Sequence, residues 1–175
     1  MQPPARRDPE GSIACLFVQH KQRNNGPPSA GAGRWRGAPA AEVVYGPTHG
    51  SLTAVIPSDG HRVAPRGVRG GADATPGRTV RIDSGGRETV LPNFVRLTLE
   101  PGERLRAVEG GGAGYGDPLA REPAHVLRDV EEGWETQARA RDVYGVALAA
   151  PDAKAPLAVD RAATRALRER LGALA

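Results

Sequence analysis

Polar and apolar residues alternate strictly along Val95-Arg96-Leu97-Thr98-Leu99-Glu100, the period of a strand with one face buried. Similar short runs at 13–19, 41–45, 51–56, 78–83, 88–91 and 104–109 read as further strands, and the alternating stretch itself belongs to a strand over 93–99. Asp83-Ser-Gly-Gly-Arg87 is composed as a hairpin connector, and Pro101-Gly102 marks a turn. Closely spaced strands with Pro/Gly punctuation predict an antiparallel sandwich or barrel-like sheet. The period changes after residue 118. Pro123 suits a first helical position, and Val126, Leu127, Val130 and Trp134 share one helical face, with Gly133 placed to end it. Thr136 is placed to cap a second helix reaching about Val143 and stopped by Gly145, and 146–149 reads as a returning strand. Asp160 then caps a last helix with Ala163, Leu167, Leu171 and Leu174 on one stripe. The expected fold class is α+β, a β-rich antiparallel sandwich or barrel-like sheet followed by a C-terminal helical segment.

Between the two patterns lies the most unusual stretch of the chain. Gly110, Gly111, Gly112, Gly114 and Gly116 fill five of the seven positions from 110 to 116, with Tyr115 and Asp117 beside them. Such density requires backbone at positive φ or backbone approaching something closely. A dinucleotide fingerprint needs glycines at offsets zero, two and five, and no register here provides them. A P-loop register aligns Gly111 with Gly116, but Asp117-Pro118 stands where lysine and a hydroxyl are needed. A tight glycine turn between sheet and helices is the reading from residues alone. Tyr115 and Asp117 are the polar pair such a turn could present at a cleft, although Asp117 is equally placed to cap the following turn.

A second glycine-rich segment, Ser29-Ala-Gly-Ala-Gly-Arg-Trp-Arg-Gly37, holds Arg34 and Arg36 around Trp35. The two arginines are candidate anion contacts with Trp35 as a stacking surface. In the plainer alternative Trp35 plugs the core while the arginines face solvent or carboxylates.

Composition narrows the function classes. The chain has 175 residues, with 24 Lys plus Arg against 20 Asp plus Glu and a formal charge of +4. Its bases are scattered arginines, Lys21 and Lys154 being the only lysines, without the aromatic interleaving of a base-stacking surface. No nucleic-acid partner is expected. Cys15 is the single cysteine and sits in an apolar run, so an inert buried thiol in a reducing compartment is expected. That run is too short to span a bilayer and lacks a cleavage site, hence the expectation of a soluble, cytoplasmic protein without a membrane partner. His20, His49, His61 and His125 lack metal-ligand spacing, and exposure is the default for His49, His61 and His125. No metal site and no catalytic set is legible, and the catalytic residues stay unassigned.

Four motifs in order resemble one family. They are Ser29–Gly37, Pro65-Arg-Gly-Val-Arg-Gly-Gly71, Leu97-Thr-Leu-Glu-Pro-Gly-Glu-Arg-Leu105, and Glu109-Gly-Gly-Gly-Ala-Gly-Tyr-Gly-Asp-Pro-Leu119, followed by Asp142-Val-Tyr-Gly-Val146. Together they are similar to the C-terminal end of the hydantoinase B/5-oxoprolinase family, whose first motif runs SGGAGRWRGG; Ala30 and Ala38 stand here for two of its glycines. The resemblance implies a domain over 29–150: β-rich at 29–109, glycine loop at 110–118, helical at 119–150. Residues 1–28 form an unmatched leader and 151–175 a linker with a terminal helix. It further implies ATP-dependent hydrolysis of cyclic amides such as hydantoins or 5-oxoproline. The partners would be an A-type subunit, the missing N-terminal portion of a B-type subunit, or both. ATP and a divalent metal would serve the full complex, with no cofactor bound by this chain. The family's His/Asp-rich metal motifs lie in its N-terminal portion and have no counterpart here. A non-catalytic interaction module or a truncated relic is the alternative.

Overall fold

The computed structural model describes the backbone of residues 13–18 and the full residues of 29–150 and 155–173. Of the expected leader over 1–28 only the backbone of 13–18 is described, and burial of the Cys15 thiol, the linker at 151–154 and Leu174 lie outside the described residues. The chain gathers into two compact units that it visits alternately. One contains Ala41–Val63, Pro76–Glu109 and the first strand; the other contains 29–40, Ala64–Thr75 and 110–173 of the described residues.

The first unit is antiparallel β. Strands β1 (Ile13–Val18), β2 (Glu42–Pro47), β3 (Leu52–Pro57), β4 (Arg78–Ile82), β5 (Glu88–Val90), β6 (Phe94–Leu99) and β7 (Arg104–Val108) lie within a residue or two of their expected places. They form an open five-stranded sheet in the order β1-β2-β7-β4-β5 and a two-stranded sheet of β3 with β6. The sheet is not a closed barrel. Leu52, Ala54 and Ile56 pair with Leu99, Leu97 and Val95, and all six turn from solvent while their neighbours face it. Both sheets supply the buried residues Val80, Leu105 and Leu99. The β4–β5 connector forms as composed. The Asp83 carboxylate accepts from Gly85 N at 3.0 Å and Arg87 N at 2.9 Å, and Gly86 takes φ +85.

One ionic clamp in this unit gives a pH prediction. Glu103 accepts from Glu100 N at 2.9 Å and from Arg81 Nη2 at 2.6 Å. The Glu100 amide, then the Arg81 guanidinium, hold its carboxyl below the ordinary value of 4.5. A depressed folded pKa means stabilisation that is present above the unfolded value and is lost as pH falls through the folded one. Thermal melts of the native chain are expected to fall more steeply below pH 4.5 than those of Glu103→Gln, for which the acid limb flattens.

The second unit is built on three glycine-rich segments and the helices α1 (Pro123–Glu131), α2 (Gln137–Asp142) and α3 (Arg161–Gly172), with a two-residue pair of β8 (Leu148–Ala149) and β9 (Ala158–Val159). The expected punctuation holds. Pro123 opens α1, Gly133 takes φ +77, Thr136 Oγ1 accepts from Arg139 N, and Asp160 Oδ1 accepts from Ala163 N. Val126, Ala140, Tyr144 and Val146 are fully buried around Ala32, with Val130, Val143, Leu148 and Val159 against them. The expected stripe on α3 needs correction. Its buried residue is Thr164, whose hydroxyl accepts from Ala147 N at 3.0 Å, while Ala163 is exposed and Leu167 half-buried. Arg168 and Leu171 flank Gly145, so α3 packs through a face chosen for satisfying backbone groups as well as for apolar area. No described helix is long and apolar enough to cross a membrane.

Candidate functional site

The three glycine-rich segments, 29–37, 65–75 and 110–117, run against one another in the second unit. Gly31 N donates to Gly112 O at 2.9 Å, Ala72 N to Ala32 O at 2.7 Å, Gly114 N to Ala72 O at 2.9 Å, and Gly112 N to Ala38 O at 2.8 Å. The backbones lie so close that a Cβ on Gly111 would overlap the Ser29 carbonyl, one on Gly37 that of Gly112, and one on Gly71 that of Gly114. The glycines therefore serve close approach. Only Gly116, at φ +76, uses left-handed freedom within 110–116. The tight turn expected between sheet and helices is instead an extended segment held between two others. Ala30 and Ala38 fit because neither position takes positive φ.

Could this loop cradle a phosphate, given so many amides? Its amides are already spent: Gly111 N on Thr75 O, Gly112 N on Ala38 O, Gly114 N on Ala72 O, Tyr115 N on Trp35 O and Gly116 N on Val68 O. Asp117 Oδ1 accepts from Leu119 N at 2.8 Å, capping the turn Pro118–Ala120. A phosphate cradle needs free N–H groups, and these five are not free. Three or more His, Cys, Asp or Glu side chains do not converge anywhere among the described residues.

A buried polar cluster braces the segments against α1. Asp129 is only 5% exposed. Its Oδ2 accepts from Arg121 Nη2 at 2.8 Å and Nε at 3.2 Å, and its Oδ1 lies 2.9 Å from Arg36 Nε. The Arg36 N–H does not point along that line, so the contact is a charge pair. Arg121 Nη1 also reaches Arg34 O at 3.1 Å. A second knot joins Tyr144, whose hydroxyl donates to Glu135 Oε1 at 2.9 Å, with Arg139 on the other oxygen at 2.8 Å. Burial first, then the Glu135 charge and hydrogen bond, push the Tyr144 hydroxyl far above its usual pKa. A phenol held neutral this way is a brace, not a base.

Two expectations about side chains change. Trp35 does not plug the core; it is 58% exposed. Inside, the backbone at Gly31 and Gly33 lies so close to Ala72, Gly114 and Tyr115 that even a Cβ on either glycine would overlap them. The arginines stand as the plainer alternative had them, Arg36 against the carboxylate of Asp129 and Arg34 in solvent. His49 and His125 are exposed as expected, but His61 is half-buried, with Nε2 3.3 Å from Thr79 Oγ1. Sequence reading missed Asp129, Arg121, Glu135 and Tyr144. One signal was available: Asp129 follows Val126 by three residues and so falls on the apolar face of α1.

The profile of the hydantoinase B/oxoprolinase family matches residues 15–118, a stretch that carries all three glycine segments. The chain belongs to that family. It is 35% identical over 144 residues to the beta subunit of the caprolactamase of Pseudomonas jessenii, covering 80% of this chain and 24% of that one. It is 33% identical over 148 residues to the B-type subunit of a putative D-/L-hydantoinase of Pseudomonas sp. (strain NS671), covering 81% and 24%. Two solved structures share the fold. The ATP-dependent caprolactamase from Pseudomonas jessenii superposes with a TM-score of 0.62 at 31% identity, over 79% of this chain and 24% of that one. Nucleotide-free acetone carboxylase gives 0.64 at 21% identity, over 91% and 25%. The chain thus spans about a quarter of the length of the hydantoinase B relatives it matches.

Proposed function

We propose that this chain acts as the C-terminal portion of a hydantoinase B-type subunit, in ATP-dependent opening of a cyclic amide together with an A-type subunit. The observation that carries the reading is the family match across the interlocked glycine segments, in relatives named as caprolactamase and hydantoinase subunits. In such a reaction ATP would turn the amide carbonyl oxygen into a leaving group. The contribution of this chain is a rigid backbone wall: its carboxylates Asp129 and Glu135 are committed to arginines, and its glycine amides to carbonyls. Those same commitments favour a second reading, an interaction module without chemistry of its own.

The test is ATP-dependent hydrolysis of caprolactam, hydantoin and 5-oxoproline by the purified chain, alone and with an A-type subunit. Turnover is expected only when partner subunits supply the metal-binding residues. A folded chain that gives no turnover with an A-type subunit and the remaining B-type portion present would overturn the catalytic reading and leave the module.

A further inference from the structure

Tyr115 lies between two backbone neighbours in the second unit. On one side it exchanges both hydrogen bonds with Trp35, at 2.9 and 3.0 Å, the arrangement that puts opposed side chains on one face. On the other side it forms a parallel bridge with Val68. All three stand out in solvent: Trp35 is 58% exposed, Val68 52% and Tyr115 43%. Two guanidinium groups lie over the rings, Arg34 at 5.8 Å from the Trp35 centroid and Arg69 at 5.6 Å from that of Tyr115. Arg69 is the single non-glycine at positive φ among the described residues, at +53, a conformation that is costly for an L-residue. The fold tolerates that cost at the position that brings this guanidinium over Tyr115. Neither Arg34 nor Arg69 has an ion pair among the described residues, and the carboxylate of Asp117 is turned onto Leu119 N.

We propose that this arginine–aromatic face is a docking surface for an extended acidic segment of the part of a hydantoinase B-type polypeptide that lies outside these 175 residues. The inference rests on the functional reading above. Guanidinium groups held over rings by a cation–π contact can still offer N–H edges to carboxylates, and the rings with Val68 offer the apolar anchor that concentrates binding energy. The choice of occupant follows from two facts. The unpaired charge on the face is positive, which calls for carboxylates. In the two Pseudomonas relatives the matched stretch is 24% of the chain, so the same domain there is continuous with the remaining three quarters of the polypeptide.

The experiment uses the full chain and overlapping synthetic peptides that tile the unmatched part of the beta chain of the Pseudomonas jessenii caprolactamase. At least one acidic peptide is expected to bind. Trp35→Ala and Arg69→Glu should each weaken that binding about tenfold or more, and Trp35→Phe much less. Arg69→Gly, which relieves the left-handed strain, should keep or raise the melting temperature while weakening binding, separating recognition from folding. The proposal is overturned if no peptide binds or if Trp35→Ala leaves binding unchanged. It is also overturned if single-stranded oligothymidylate binds this face more tightly than every peptide. Peptide binding that depends on Trp35, with no lactam turnover in any pairing, would sink the catalytic reading alone. Turnover that survives Trp35→Ala, with no peptide bound, would sink the docking face alone.

Discussion

Gly114→Ala is expected to unfold the glycine-segment unit. A Cβ at this position would overlap the carbonyl of Ala32, with Gly31 O a further 3.0 Å contact, and both are backbone atoms that cannot swing aside. Relief requires moving the 110–117 segment off its neighbours, which breaks Gly114 N to Ala72 O at 2.9 Å and Val68 N to Gly114 O at 3.1 Å. Two lost backbone hydrogen bonds and the opened interface around the buried Gly114 together cost more than about 4 kcal/mol, a large share of the stability of an ordinary domain. The measurement is urea unfolding combined with amide exchange at Gly111, Gly112 and Gly114, which should exchange slowly in the native chain and rapidly in the variant. Gly172→Ala is the control, because nothing lies within 4 Å of a Cβ there. A Gly114→Ala chain that keeps its urea midpoint and its slow amides would show that the segments are not close-packed.

Asp129→Ala is expected to have the second largest effect. Removing this carboxylate leaves two guanidinium groups whose side chains are only 17% and 10% exposed, with no compensating charge. Breaking one partner out of a buried ion pair costs about 3–5 kcal/mol, because the remaining charge stays desolvated. Arg121 keeps its bond to Arg34 O, which limits the loss. Asp129→Asn should cost less, since it still accepts a hydrogen bond. The double variant Arg121→Met with Asp129→Leu should recover part of the stability, as apolar replacements of buried ion pairs often do. Denaturant unfolding of the three variants decides the matter. Equal stability of native chain and Asp129→Ala would mean that the cluster is solvated in solution.

Local signals carried well from sequence to structure where one residue acts on its own neighbourhood. The strand at β6 was legible from alternation alone, and the caps at Thr136 and Asp160 from the hydroxyl and carboxylate placed before each helix. The family, too, was readable, since four ordered motifs survive as short strings. The site was less legible. Glycine density announced an unusual backbone but not which kind, because positive φ and close approach demand the same residue. Gly116 is of the first sort, while Gly111 and Gly114 are of the second.

What the amino-acid order determined by itself was the α+β class, the place of most strands and helices, and their stops. Each depends on forces that act within about one turn or one strand length, where propensity, capping and alternation suffice. Only the tertiary structure decided that β7 lies between β2 and β4, that three distant glycine segments share one interface, and that Asp129 collects two arginines. It also decided that Trp35 faces solvent. Those outcomes depend on pairings between residues far apart in sequence. No local preference encodes them, because the partner that satisfies each amide, charge or ring arrives only when the chain closes on itself.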